Sequence, residues 1–230
     1  MHLILAAIAP AFMVIIYIYL KDKYEKEPKR VMIYSFLLGA IVSVFITTIL
    51  YVFFDYFLPL NNKFSLTQLF IKAFFVVGLS EEFSKYVIVR YYSQPRKAFN
   101  EPFDGIVYAV MVSMGFAMVE NLMYVFQGGL QVALIRAFTA VPAHATFGII
   151  MGYFMGKAKF NGMRIADNLI GLSLAVLLHG MYDFFLFIEF IPGIWIGAFI
   201  SLIIAILLAR KAIKIHQKNS YFNTDKQKKV

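Results

Sequence analysis

The sequence predicts an all-α fold, a polytopic membrane bundle of about seven transmembrane helices with the N-terminus outside and the C-terminus inside. Three observations predict it. Of the 230 residues, 61% are hydrophobic and 15% charged, with a mean hydropathy of +0.73, more apolar than a soluble domain of this length. The apolar runs are close to the ~20 residues a helix needs to cross a bilayer. The loops between them are alternately rich and poor in Lys and Arg, as in cytoplasmic and outer loops.

The first run, 3–20, lacks a basic leader and a small-residue cleavage site, so it reads as a retained helix rather than a removed signal. Lys21, Lys23, Lys26, Lys29 and Arg30 follow, with Pro28 as punctuation, and place this loop in the cytoplasm. The second span is 31–54, and the loop 55–65 carries Pro59, Asn61 and Asn62 with a single Lys63, as expected outside. The third span, 66–92, is followed inside by Arg96 and Lys97. The fourth, 103–126, ends in the turn Gln127-Gly128-Gly129. The fifth is 132–156, followed inside by Lys157, Lys159 and Arg164. The sixth is 166–188, and Pro192-Gly193 opens a seventh that runs to about residue 208.

No polar stretch is long enough for a separate soluble domain. Residues 1–210 read as one integral membrane domain and 211–230 as a basic, flexible cytoplasmic tail. The net charge of +9 sits in short inner loops and in this tail, which points to anionic lipid as a partner and away from nucleic acid. There is no cysteine, which excludes disulfides, thiolate metal sites and a cysteine nucleophile.

The predicted helices carry residues that do not belong in lipid. Glu81, Glu82 and Lys85 lie on the third, Glu120 and Asn121 on the fourth, His144 on the fifth, and His179 and Asp183 on the sixth. A charge at bilayer depth costs roughly 2.5–3.5 kcal/mol on insertion scales, so such groups are rare and usually functional. Lys85 is i+4 from Glu81 and i+3 from Glu82, so it can pair fully with one carboxylate only.

Small residues recur every fourth position beside these groups. The stripes are Gly105, Ala109, Ser113, Ala117 and Asn121; Ala140, His144, Gly148, Gly152 and Gly156; and Gly171, Ala175, His179 and Asp183. Helix packing alone explains the glycines and alanines, but not why histidines share their stripes. At ~1.5 Å per residue from the inner ends, Glu81, His144 and His179 lie roughly 15–20 Å deep, and Glu120 and Asp183 about 25 Å. The cluster therefore faces protein near mid-membrane and opens outward. A buried carboxylate can take a proton from water and return it, and a histidine opposite can hold that water. A second histidine can stabilise an oxyanion, with Asp183 fixing its tautomer or lining the site directly. The chemistry that fits is hydrolysis.

The chain resembles the PrsW family of intramembrane proteases, distant relatives of the CAAX prenyl endopeptidases. The resemblance runs through Tyr19-Leu20-Lys21-Asp22, Tyr24-Glu25-Lys26-Glu27-Pro28, Glu81-Glu82-Phe83-Ser84-Lys85 and Phe103-Asp104-Gly105-Ile106-Val107-Tyr108. It continues through Gly115-Phe116-Ala117, Glu120-Asn121, His144 and His179-Gly180-Met181-Tyr182-Asp183. It implies a CAAX-protease-like core in a bacterial plasma membrane, with Glu81, Glu82, His144 and His179 as catalytic residues and Lys85, Glu120, Asn121 and Asp183 in support. It also implies a glutamic-type endopeptidase without a metal cofactor, making the first, extracytoplasmic-side cut in a single-span anti-sigma factor. Three positions depart from the wider superfamily. Lys85 stands three residues after the second glutamate where an arginine stands four after it, Ala140 replaces a phenylalanine, and Asp183 replaces an asparagine.

Within the site, Glu81 is expected to activate water with His144 while Glu82 is held by Lys85. The alternatives are a zinc protease with Glu81, His144 and His179 among its ligands, a proton-coupled transporter, and a non-catalytic scaffold. Zinc ranks lower because there is no His-Glu-x-x-His helix.

Overall fold

The computed structural model describes residues 2–223. They form α1 (His2–Lys21), α2 (Lys29–Leu38), α3 (Val44–Phe57), α4 (Leu66–Ile71), α5 (Leu79–Ile88), α6 (Pro102–Phe138), α7 (Ala140–Phe160), α8 (Arg164–Phe187) and α9 (Ile196–Asn219), with no strand among the described residues. Three π-helical stretches, Gly39–Ser43, Lys72–Gly78 and Val89–Ser93, join α2 to α3, join α4 to α5, and extend α5. The chain is thus helical without a break over 29–57 and over 66–93.

Five helical segments are long and apolar enough to cross a membrane: His2–Lys21, Lys29–Phe57, Pro102–Phe160, Arg164–Phe187 and Ile196–Asn219. The run 66–93 has the length, but Lys72, Glu81, Glu82, Lys85 and Arg90 make it too polar to count with them. The runs expected as the fourth and fifth spans belong to one long segment, in which α6 bends at Gly129 (φ 70°), within the expected turn, continues as helix to Phe138 and gives way to α7 at Thr139. Glycine takes this left-handed conformation without the Cβ clash other residues meet. The last helix also outruns its expected end at about residue 208. It reaches Asn219 because Ala212, Ile213 and His216 are buried, His216 Nε2 donating to the Tyr153 carbonyl at 2.8 Å and its ring stacking on Tyr153 at 4.2 Å. Arg210, Lys211, Lys214 and Lys218 therefore ride on a helix, and 224–230 lie outside the described residues.

α6 and α7 form the centre. Almost every residue from Phe103 to Ala117 and from Val141 to Gly152 is buried, whereas α1, α3 and α9 expose large apolar side chains such as Leu20, Phe45 and Ile203. This inversion is expected where the solvent is lipid. The predicted stripes of the fourth and fifth spans meet face to face. A Cβ on Gly105 would overlap the Gly152 carbonyl, Gly148 faces Ser113 and Ala109, and the Ser113 hydroxyl donates to the His144 carbonyl at 3.0 Å. Close backbone approach here fixes the position of His144 relative to α6.

The end of the bundle with the basic loops is tied by a polar cluster. Asp104 accepts the backbone N–H groups of Asn100 (2.6 Å) and Glu101 (2.8 Å) and faces Glu27, which accepts the Tyr108 hydroxyl. Asp22 accepts the Glu27 N–H at 3.3 Å. Burial, reinforced by Asp22 and Glu25, pushes the Glu27 carboxyl up to about 7, against the pull of Tyr108 and Asp104. Burial likewise raises Asp22 to about 6. The motifs around Tyr24–Pro28 and Phe103–Tyr108 thus meet each other, away from the mid-helix groups.

Candidate active site

Glu81, Glu82 and Lys85 lie within the first two turns of α5, His144 is one turn into α7, and His179 is in the second half of α8. All five are at most 4% exposed. Such burial of charge is tolerable only with close pairing, and the pairing is dense. Lys85 Nζ donates to Glu82 Oε1 at 2.7 Å, to His144 Nδ1 at 3.1 Å and, at 3.4 Å, to Glu81 Oε2. It also lies 4.3 Å from the centre of the Phe116 ring, a cation–π contact.

The tautomer of His144 follows from its partners. An ammonium has no lone pair, so Nδ1 accepts from Lys85, and the ring proton sits on Nε2, which donates to Glu120 Oε2 at 2.8 Å. His179 lies between two carboxylates, with Nδ1 2.9 Å from Glu82 Oε1 and Nε2 3.3 Å from Asp183 Oδ2. The two imidazoles meet edge to face at 5.3 Å, and Phe147 stacks on His179 at 5.0 Å. Glu120 and Asp183 keep 15% and 14% of their side chains accessible, more than the five central groups, so contact with solvent lies on their side of the cluster.

The glutamates differ in their environments. Glu82 Oε1 receives two short contacts, from Lys85 and His179, while its Oε2 is buried without a partner. Glu81 accepts the Tyr51 hydroxyl on Oε1 at 2.7 Å and only the long Lys85 contact on Oε2. Glu82 is the anchored carboxylate. Glu81 is the one freer to exchange a partner for water.

All eight residues singled out in the sequence are close to one another, but Asn121 plays a different part from the rest. Its Nδ2 donates to the Ala7 carbonyl (2.7 Å) and its Oδ1 accepts Arg136 Nε (2.8 Å), so it ties α1 and Arg136 to α6, and these hydrogen bonds go to none of the five central groups. Arg136 and Tyr51 are additions. Arg136 Nη2 donates to Glu120 Oε2 at 2.7 Å. Sixteen residues of straight helix would put them ~24 Å apart, so the Gly129 bend is what folds Arg136 back. As the one Lys or Arg between Lys97 and Lys157, Arg136 could have been flagged on cost alone. Tyr51, inside an apolar run rich in aromatics, gave no signal.

Glu81, Glu82, His144 and His179 each offer one ligand atom, and these atoms lie within 4.8 Å of one another, a donor set of the kind zinc accepts. Lys85 already directs its ammonium at three of these four residues. A divalent ion would compete with Lys85 for the same lone pairs, so the donors suit a metal by type while the arrangement suits the lysine.

Residues 27–211 match the model of the PrsW family intramembrane metalloproteases. The chain is 41% identical over 182 residues to a protease PrsW of Oceanobacillus iheyensis (79% of this chain, 81% of that protein) and 39% identical over 186 residues to one of Bacillus subtilis (80% and 82%). It is 35% identical over 235 residues to one of Clostridioides difficile (99% and 94%). No solved structure matches. With a family model covering most of its length and relatives at this identity over four fifths of the chain or nearly all of it, the protein belongs to the PrsW family of intramembrane proteases.

Proposed function

We propose that this membrane protein is a glutamic-type endopeptidase that works without a metal, cutting a single-span membrane protein on the extracytoplasmic side. The observation that carries the reading is the buried cluster of two glutamates and two histidines centred on Lys85. In this reading the run 66–93 is the third of seven spans, α6 and α7 supply the fourth and fifth, the N-terminus is outside and the C-terminus inside, and the membrane is the bacterial plasma membrane. The basic inner loops and α9 lie against anionic lipid. The family resemblance makes a membrane-bound anti-sigma factor the expected substrate.

Glu81 takes a proton from a water as its oxygen attacks the carbonyl carbon of the scissile peptide. The charge that develops on the carbonyl oxygen is met by N–H donors of Lys85 and His179, already desolvated and held by Glu82 and Asp183. His144, locked by Lys85 and Glu120, keeps the ammonium in place. The proton on Glu81 passes to the leaving amide nitrogen as the C–N bond breaks, giving a carboxylic acid and an amine.

A second reading is favoured by the 4.8 Å clustering of the four donors and by the family description. In it Glu81, Glu82, His144 and His179 would hold Zn²⁺ in place of the Lys85 ammonium. The ion would supply Lewis acidity and an activated water.

Reconstitution with the anti-sigma factor, comparing wild type with Glu81→Gln, Glu82→Gln, His144→Ala and His179→Ala, tests the function. Cleavage by wild type that persists after exhaustive chelation and is lost in all four variants is the expected result. No cleavage, or equal cleavage by the variants, overturns the protease reading. Proton-driven solute uptake abolished by the same substitutions would indicate a transporter instead.

A further inference from the structure

We propose that the cleft between the outer half of α3 and the π-helical stretch Lys72–Gly78 binds an unwound, extended segment of a membrane-spanning polypeptide, with Tyr51 closing it off from Glu81. This inference rests on the protease reading for its substrate and on the geometry for its place.

The two helical runs are held together at one level and apart at the next. Ser84 Oγ lies 2.6 Å from Ser43 Oγ and accepts the Thr47 hydroxyl at 2.9 Å, pinning α3 to α5. One turn beyond Thr47, Tyr51 reaches across to Glu81 at 2.7 Å. From Tyr51 outward the walls diverge around a cavity of about 420 Å³, within the ~300–1,000 Å³ usual for ligand sites. Tyr51, Val52 and Asp55 line one wall, and Lys72, Val76 and Val77 the other. Val52, 66% exposed, marks the lipid-facing lip. Tyr51 therefore belongs both to the cavity and to the catalytic carboxylate. Whatever displaces its hydroxyl from Glu81 brings the cavity's contents to the reacting atoms.

The lining chemistry selects the occupant. An acyl chain has no use for the Asp55 carboxylate or the Lys72 ammonium. A peptide stretch unwound from its helix exposes N–H and C=O groups that must find partners at membrane depth. Asp55 can accept from such N–H groups, and Lys72 can donate to such carbonyls, while Val52, Val76 and Val77 take apolar side chains. An intact helix keeps its carbonyl carbons inside its own hydrogen-bond ladder, so unwinding in the cleft is also what would present one to Glu81.

Two measurements with the reconstituted full chain and the anti-sigma factor test this. Val76→Trp fills the cleft away from the catalytic groups. It is expected to raise KM about tenfold with kcat within about twofold, whereas Ile203→Trp on the lipid face of α9 changes neither. In the Glu81→Gln background, a benzoylphenylalanine photoprobe replacing Val52 is expected to capture the substrate, and the same probe replacing Ile203 is not. An unchanged KM in a Val76→Trp protein that melts like wild type overturns the proposal, as does equal capture from both positions or none from Val52. If wild type cuts nothing while Val52 still captures, the docking site stands and the protease reading falls. If wild type cuts and Val52 captures nothing, the reverse holds.

Discussion

Lys85→Met gives the sharpest test of how the site is charged. The substitution keeps the length and apolar stem of the side chain but removes the ammonium that contacts Glu82 at 2.7 Å, His144 at 3.1 Å and Glu81 at 3.4 Å. Breaking a buried pair from one side costs about 3–5 kcal/mol, because the partner charge stays buried and uncompensated. At 2–4 °C per kcal/mol for a chain of this size, the melting temperature should fall by roughly 6–20 °C. The vacated space keeps four ligand atoms within 4.8 Å of one another, so the variant should acquire the zinc affinity that Lys85 suppresses. Zinc at a hundred times its Kd would then restore about 2.7 kcal/mol. The assay is thermal unfolding in detergent with and without Zn²⁺, alongside metal content by elemental analysis, for wild type, Lys85→Met and Lys85→Met/His144→Ala. Zinc should raise the melting temperature of the single variant alone. Stoichiometric zinc in the purified wild type, or an equal zinc-dependent rise there, would refute the idea that the lysine is the resident cation.

Two further outcomes concern stability away from the reacting groups. Glu27 holds its proton up to about 7 in the folded protein against 4.5 ordinarily, so the native state binds more protons between those values and stability falls as pH rises through that window. The loss is about 3 kcal/mol. Glu27→Gln, which can still accept from Tyr108, should therefore melt with a shallower decline from pH 4.5 to 7, leaving the slope due to Asp22 and the other buried carboxyls of the cluster; a decline as steep as wild type's would show that Glu27 does not contribute to it. Gly105→Ala places a methyl against the Gly152 carbonyl and the Gly156 Cα, both backbone atoms that cannot swing aside. It should cost about 1–3 kcal/mol in melting experiments, and a wild-type melting curve would show that α6 and α7 are not locked there.

Much of this site was legible because charge in an apolar run is conspicuous. Glu81, Glu82, Lys85, His144 and His179 stand out from their neighbours by cost alone, and the fourfold spacing of small residues indicated which helix faces meet. The expected Glu82–Lys85 pairing is the shorter of the two in the structure. His144 proved to be engaged with Lys85 and Glu120, while His179 is the histidine bonded to a glutamate of the pair. Hydropathy could not show these partnerships, because they depend on which way each ring faces. The Gly128-Gly129 pair marked the reversal, but hydropathy could not show that helix continues on both sides of Gly129 and carries Arg136 back to Glu120. The extension of α9 was hidden for a related reason. Lys and Arg residues every few positions lower the mean hydropathy, while Ala212, Ile213 and His216 between them supply a buried face.

The π-helical stretches on either side of α5 make chain length itself a catalytic variable. A π turn accommodates a residue more than an α turn in the same ladder. Losing one residue within Lys72–Gly78 would let the ladder close as ordinary α-helix with the facing beyond it little changed, whereas gaining one, with no wider turn left to absorb it, would rotate everything after it by about 100° relative to α4. Glu81 and Glu82 would then point away from His144 and His179 with no site residue altered. In this apolar stretch, where one valine or phenylalanine can stand in for another, the count of residues fixes the aim of the carboxylates more strictly than their identity does.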